Sequence, residues 1–266
     1  MSESWPCKTC GSKEHPVLVF LHGFLGNGAE WEFLQKDFEK NYYCIFPDLP
    51  GHGANLGILP DRALTFGWMA HGLARTLEQL EISSVHLVGY SLGGRLALYF
   101  ATAYPGRVIS LTLESASPGL AGKLERRERR QLDAQRALEI RNHGLAAFLD
   151  SWYQMPLFAS LRRQPERLAG MKARRLANDP QEIARVVSEL SPGCQPSLWG
   201  KLTNVQTVVL LLAGSFDEKY LALVRLMADR LPASKVSIAP KAGHNIHLEA
   251  PEWYIQELQD FLSTLA

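Results

Sequence analysis

Long apolar runs are missing from this chain. No stretch of its 266 residues approaches the roughly 18 consecutive apolar residues of a membrane span. The opening segment MSESWPCKTCGSKE has no apolar h-region, so it does not read as a secretory signal. Charge of one sign is also missing: the formal net charge is +1 and gives no reason to expect nucleic acid as a partner. Cysteine is scarce, with only Cys7, Cys10, Cys44 and Cys194. Cys7-x-x-Cys10 could be half of a zinc site, but no second Cys or His pair follows at ligand spacing, so no metal is expected. The thiols read as reduced and incidental. Repeats and low-complexity tracts are absent. These absences together predict a soluble cytoplasmic protein without membrane or nucleic-acid partners, and the segment before residue 16 reads as a tail without function.

What is present is a globular core, with 46% hydrophobic residues. The length fits one large α/β domain with an insertion and needs no disulfide or metal staple. Nearly continuous apolar runs at 16–21, 42–46, 85–89, 108–113, 207–214 and 235–239 read as parallel strands covered on both faces. Helical patterns alternate with them near 29–40, 65–80, 92–104, 218–231 and 252–264. Strand–helix alternation predicts an α/β fold with a mostly parallel, doubly wound sheet.

Residues 118–198 break the rhythm. They show no convincing strand and several helical stretches punctuated by Pro156, Pro165, Pro180 and Pro192. They read as a helical cap inserted into a core formed by 1–117 and 199–266. This segment holds 14 Lys and Arg against 9 Asp and Glu, whereas the remainder holds 14 against 18. Most of these charges belong to solvated helix faces. The excess also makes a local positive field that favours a small anionic ligand.

Gly89-Tyr90-Ser91-Leu92-Gly93 lies between a strand and a helix, the context a G-x-S-x-G nucleophile elbow requires. Gly89, Gly93 and Gly94 supply the small neighbours that such a sharp turn needs. A serine hydroxyl is a poor base and a poor nucleophile until a neighbour takes its proton, and a carboxylate-held histidine does this. Asp217 and His244 follow in that order, each just past the C-terminal end of a strand, where open α/β sheets build their sites. Ser91, Asp217 and His244 are therefore the candidate catalytic triad. Asp48, Glu218 and Glu249 are rival acids and His247 a rival base. The loop FLHGFLGNG, after the first apolar strand, would give an oxyanion-hole amide from Phe24, with the second from Leu92. His22 and Gly23 would shape that loop. Arg95 follows Ser91 by about one helical turn, which puts it within reach of the pocket floor as an anion anchor or as one half of an ion pair.

The motifs LHGF, DLPGHG, GYSLGG and AGH, with Asp217, resemble those of the α/β-hydrolase-fold superfamily. A narrower set resembles the 2-succinyl-6-hydroxy-2,4-cyclohexadiene-1-carboxylate synthases, lyases of menaquinone biosynthesis. It comprises GYSLGGR with Arg95, SPGL (117–120), ERRERR (125–130), WYQMPLFASL (152–161), RLANDP (175–180), AGSFDEKY (213–220) and AGHNIH (242–247). These run from residue 17 to about 250, and WYQMPLFASL, in the cap, is the most specific.

The resemblance implies elimination of pyruvate from 2-succinyl-5-enolpyruvyl-6-hydroxy-3-cyclohexene-1-carboxylate, a small anionic polycarboxylate, with triad-activated Ser91 as base and no cofactor. It implies that Arg95, Arg129 and Arg175 bind the substrate and that Tyr90 and Trp152 line its pocket. Neighbouring Arg127, Arg130 and Arg174 leave the register of the cap arginines open. The enzyme is expected to be a monomer or weak homo-oligomer. The alternatives are a carboxylic ester or thioester hydrolase using the same triad, and a non-catalytic ligand-binding module, which a filled triad disfavours.

Overall fold

The protein is described by a computed structural model covering residues 4–265. Seven strands form one sheet: β1 (Cys7–Cys10), β2 (Val17–Leu21), β3 (Tyr43–Pro47), β4 (Val85–Tyr90), β5 (Val108–Glu114), β6 (Val208–Gly214) and β7 (Ser234–Ala239). Their order is β1-β3-β2-β4-β5-β6-β7. All pairings are parallel except β1 with β3. The six apolar runs read from the sequence match β2 to β7 to within two residues at each end. The chain leaves β2 toward β3 on one side and returns to β4 on the other, so the strand order reverses between β2 and β4. Crevices at such reversals hold the ligand sites of open α/β sheets.

Nine helices accompany the sheet among the described residues: α1 (Gln35–Phe38), α2 (Phe66–Gln79), α3 (Leu92–Ala103), α4 (Lys123–Trp152), α5 (Pro165–Arg175), α6 (Pro180–Glu189), α7 (Glu218–Ala228), α8 (Ile246–Glu249) and α9 (Pro251–Ser263). Alternate residues of each strand face opposite layers. Val19 and Leu21 of β2 pack with Leu73 of α2, Phe100 of α3 and Met227 of α7. Leu18 and Phe20 pack with Phe38 of α1 and Tyr254 and Leu258 of α9. Thr65 starts α2 by accepting the Trp68 N–H at 3.1 Å.

Between β5 and β6 the chain makes only helices and turns. Ile140, Phe148 and Leu149 of α4 pack with Met171 of α5 and Ile183 and Val187 of α6. Leu25, from the loop after β2, is buried in the same cluster and so joins these helices to the core. Gly144 interrupts α4 with φ 77°. That conformation costs glycine little and other residues much, so the kink falls there.

The first residues depart from the expectation of a functionless tail. Cys7–Cys10 forms the antiparallel edge strand β1, with Cys10 opposite Cys44. Trp5 is only 2% exposed and its backbone N–H donates to Thr76 Oγ1 at 3.0 Å. A Cβ on Gly72 would lie 2.8 Å from the Trp5 indole nitrogen, so α2 makes room for this ring by having glycine there. Among the described residues no group of three or more His, Cys, Asp or Glu gathers as a metal cluster, and Cys7 and Cys10 serve the edge strand. No helix among them is long and apolar enough to cross a membrane. Replacing Trp5 by Ala should therefore destabilise the fold by about 3–5 kcal/mol; a urea unfolding midpoint equal to that of the parent protein would show that the segment is dispensable.

Candidate active site

The turn from β4 to α3 puts Ser91 at φ 48° and ψ −105°, outside the regions that L-residues favour. Close packing imposes this conformation. A Cβ on Gly89 would lie 2.6 Å from the Gly94 Cα, and one on Gly93 would lie 2.5 Å from the His22 carbonyl oxygen. The Ser91 N–H donates to the Glu114 carbonyl at 2.9 Å, which fixes the turn to β5. The hydroxyl then stands above the strand ends at the N-terminus of α3, where developing negative charge is stabilised.

His244 and Asp217 meet Ser91 there. His244 Nε2 is 3.2 Å from Ser91 Oγ, and His244 Nδ1 donates to Asp217 Oδ2 at 2.8 Å. Because Asp217 accepts the Nδ1–H hydrogen bond, the ring is turned so that Nε2 faces the hydroxyl. Asp217 Oδ1 also accepts the Tyr220 N–H at 3.3 Å, so the residue caps α7 as well. Two of the rival acids are engaged elsewhere. Asp48 accepts the Gly28 and Ala54 N–H groups and Glu249 accepts those of Gly243 and Asn245, while Glu218 lies exposed on the cavity lining and it is Asp217 that meets His244 Nδ1. His247 is fully buried against Glu114 and does not reach the cavity.

Phe24 and Leu92 both border the cavity in front of Ser91. Among the described residues neither backbone N–H has a protein acceptor, as oxyanion donors require. The loop before α1 is held by His22, whose Nδ1–H donates to the Gly23 carbonyl at 2.8 Å and whose Nε2 accepts the Leu49 N–H at 2.9 Å. Leu25 in that loop has φ 70°, a second strained non-glycine residue, next in the chain to Phe24 of the cavity lining.

The cavity has a volume of about 540 Å³ and runs from Ser91 into the helices between β5 and β6. It suits a small molecule. Tyr90, Arg95, Arg129, Trp152 and Arg175 all line it, while Arg127, Arg130 and Arg174 do not. Among the charged lining residues that sequence reading missed are Asp133 and Arg136. They lie with Arg129 at i, i+4 and i+7, one face of α4. Asp133 is fully buried and its two oxygens accept from Arg129 Nε and Arg136 Nη1, each at 2.7 Å. A charged stripe where the helix turns inward was the available signal. Arg136 also lies 5.0 Å from the centre of the Trp152 ring.

The arginines differ in their partners. Arg175 is paired with Glu30 at 3.0 Å and donates to the Tyr153 hydroxyl. Burial, the largest single effect, would raise the Glu30 carboxyl, but the charge and hydrogen bond of Arg175 together with its other neighbours outweigh it and hold that group below its usual range. Arg95 has no carboxylate partner among the described residues. Its Nη1 donates to the Leu190 carbonyl at 3.0 Å and to Gln195 Oε1 at 3.2 Å, and its guanidinium lies over Phe66. The ion-pair alternative for Arg95 is thereby corrected: neutral oxygens hold it. Burial pulls its pKa down to about 10, so it remains cationic at neutral pH.

The parallel sheet, the strained serine turn and the Ser91–His244–Asp217 arrangement define an α/β-hydrolase-type protein. The alpha/beta hydrolase fold family model matches residues 16–251. A Bacillus subtilis (strain 168) protein, provisionally named 2-succinyl-6-hydroxy-2,4-cyclohexadiene-1-carboxylate synthase, is 37% identical over 96% of this chain and 93% of its own. The synthase of that name from Escherichia coli O1:K1 is 35% identical over 93% of this chain and 94% of its own. The solved structure of MenH from S. aureus superposes with a TM-score of 0.93 at 34% identity, covering 97% of this chain and 98% of that one. The chain belongs to the α/β-hydrolase fold family and, within it, to the family of these synthases.

Burial also depresses the pKa of His22, His52 and His86, so all three are neutral in the folded protein near neutrality. The unfolded chain takes up these protons first, near pH 6.5. Folding stability should therefore fall as pH drops below about 6.5, by up to about 1.4 kcal/mol per pH unit for each histidine. Urea midpoints measured between pH 7.5 and 5 check this; a midpoint that rises on acidification contradicts it.

Proposed function

We propose that this chain is a cytoplasmic, cofactor-independent lyase. It eliminates pyruvate from 2-succinyl-5-enolpyruvyl-6-hydroxy-3-cyclohexene-1-carboxylate and leaves 2-succinyl-6-hydroxy-2,4-cyclohexadiene-1-carboxylate. Residues 118–198 act as a cap on a core made of 1–117 and 199–266, and the enzyme works as a monomer or weak homo-oligomer. The family membership supports the reaction. The observation that carries the substrate class is Arg95, a buried guanidinium beside Ser91 that makes no ion pair with a carboxylate among the described residues.

The two compounds dictate the bond changes. The ring loses a proton from C2 and an oxygen substituent from C5, while its 3-ene becomes a 2,4-diene. The C2–H electron pair forms the C2–C3 double bond, the old double-bond pair moves to C4–C5, and the C5–O bond breaks. The leaving group departs as the enolate of pyruvate and takes up a proton. C2 stands beside the succinyl ketone, so charge released by deprotonation spreads onto that ketone oxygen. The reaction thus needs a base at C2, donors at one oxygen, and cations for the carboxylates.

Ser91 Oγ serves as the base and passes its own proton to His244 Nε2, while Asp217 stabilises the imidazolium that forms. A serine can do this only next to a strong proton acceptor and in a polarised site. The Phe24 and Leu92 amides stabilise the enolate oxygen. Arg95 holds one carboxylate on the pocket floor, and Arg129 with Arg136 offers a second cationic wall. The planar fork of arginine matches carboxylate geometry. Arg175, already paired with Glu30, contributes shape and hydrogen bonds more than net charge. Tyr90 and Trp152 supply the flat walls against which a six-membered ring packs.

Ser91→Ala should reduce pyruvate release from the enolpyruvyl substrate by at least about a hundredfold; unchanged release in that variant would sink the mechanism. Arg95→Ala should lower kcat/KM for this polycarboxylate by about tenfold to a hundredfold, the loss of a charge-assisted hydrogen bond, while sparing turnover of p-nitrophenyl acetate. Equal losses on both substrates would assign Arg95 a structural role instead.

A further inference from the structure

Below the triad lies a second carboxyl–imidazole pair that the proposed chemistry does not use. Glu114, the last residue of β5, and His247, the second residue of α8, are 0% and 1% exposed. Glu114 Oε1 accepts the His247 backbone N–H at 3.1 Å, and both of its carboxyl oxygens lie 2.9 Å from His247 Nδ1. A carboxyl group in the interior is costly unless its oxygens are bonded. The residues of β5 on the same face, Ser110 and Thr112, are also buried but carry only small neutral hydroxyls, so Glu114 is the one charged side chain on it. An aliphatic side chain would satisfy packing at 114 without that cost, so the acid supplies something other than hydrophobic burial.

What it supplies is a connection between the two segments that must meet for catalysis. The Glu114 carbonyl accepts the Ser91 N–H at 2.9 Å and so holds the strained turn. The Glu114 side chain holds His247, three residues beyond His244. One residue therefore anchors the serine through its backbone and the histidine loop through its side chain. The Tyr90 ring, adjacent to Ser91 in the chain, completes the contact. It sits edge-on to His247 with centroids 4.7 Å apart and to His244 at 5.5 Å. Trp31 backs the His247 ring from the opposite side at 4.5 Å. The imidazole is thus held by Glu114 at Nδ1 and by aromatic rings around it.

We propose that Glu114, acting through His247, is a positioning residue: it sets the distance between Ser91 Oγ and His244 Nε2. A triad tolerates little misplacement, and a shift of about 1 Å costs roughly a hundredfold in rate. The cation wall and the pocket floor lie on α3 and α4, so loosening this link affects proton transfer and leaves anion binding intact. The inference rests on the triad of the proposed function and is independent of its substrate.

The test uses the covalent labelling rate of Ser91 by a fluorophosphonate, which depends on triad alignment whatever the natural substrate is. Glu114→Gln should slow labelling by about tenfold or more, short of the roughly hundredfold limit for a 1 Å shift. kcat for pyruvate release should fall in parallel with KM unchanged. The affinity for tricarballylate, an unreactive tricarboxylate probe measured by calorimetry, should stay within about twofold, since no arginine is touched. His247→Phe should show the same pattern. His247→Asn, whose amide nitrogen can replace Nδ1 as a donor to Glu114, should recover much of the lost rate and remains informative if the Phe variant does not fold. Labelling at the parental rate in Glu114→Gln, with only a lowered Tm, would overturn the positioning role. So would a loss that appears in KM or tricarballylate affinity rather than in kcat. Wild-type protein that does not label at all would instead sink the triad on which the proposed function stands.

Discussion

The close approach of α3 to β4 at Ser91 is the constraint from which the rest of the site follows. A non-glycine residue at φ 48° stores of order 1–3 kcal/mol of strain and persists only if its surroundings over-determine it. Here they do. Gly89, Gly93 and Gly94 let backbone meet backbone, the Ser91 N–H is tied to β5, and β5 is tied through Glu114 to the segment after His244. Relaxing the turn would tilt α3, and with it Leu92 and Arg95. The Leu92 amide, the Ser91 hydroxyl and the Arg95 guanidinium are therefore placed by one local geometry. The positive end of the α3 dipole comes with it and favours the same sign of developing charge.

Electrostatics in the cavity follow from who pairs with whom rather than from how many arginines are present. Arg175 and Glu30 neutralise each other in the dry interior. Arg129 and Arg136 share Asp133, so that face of α4 carries one net positive charge and holds both guanidinium groups in place. Arg95 is held by neutral oxygens and an aromatic face, which orient it without cancelling its charge. The +1 total charge of the chain conceals this arrangement, because the core and the segment between β5 and β6 carry opposite excesses.

Six of the seven strands and the triad were legible because each rests on a local signal. A fully covered parallel strand must be a run of apolar residues, and β2 to β7 are such runs. A nucleophile elbow must have glycines around its serine, and GYSLGG supplies them. The segment Trp5–Cys10 was not legible. A four-residue edge strand is wetted on one side, CKTC carries two polar residues, and nothing local says that β3 offers it an edge or that Gly72 makes space for Trp5. Glu114 was equally silent, since an acid at a strand end reads as a solvated turn until His247 is known to lie over it. Asp133 and Arg136 needed the phase of α4: with Arg129 facing the cavity, residues four and seven further on must face it too, but that phase depends on which side of the helix packs on α6.

By itself, the sequence determined the α/β alternation, the turn that strains Ser91 and the order of serine, acid and histidine, because these depend on side-chain period and backbone sterics within a dozen residues. Tertiary structure alone decided which arginines face the cavity, which of them are neutralised, and that Glu114 joins the serine turn to the histidine loop. Those outcomes depend on contacts across 95, 133 and 145 residues of chain: Arg95 with Leu190, Glu114 with His247, and Arg175 with Glu30. Charge pairing in a dry interior is set by distance and desolvation, and neither quantity exists until the chain has folded.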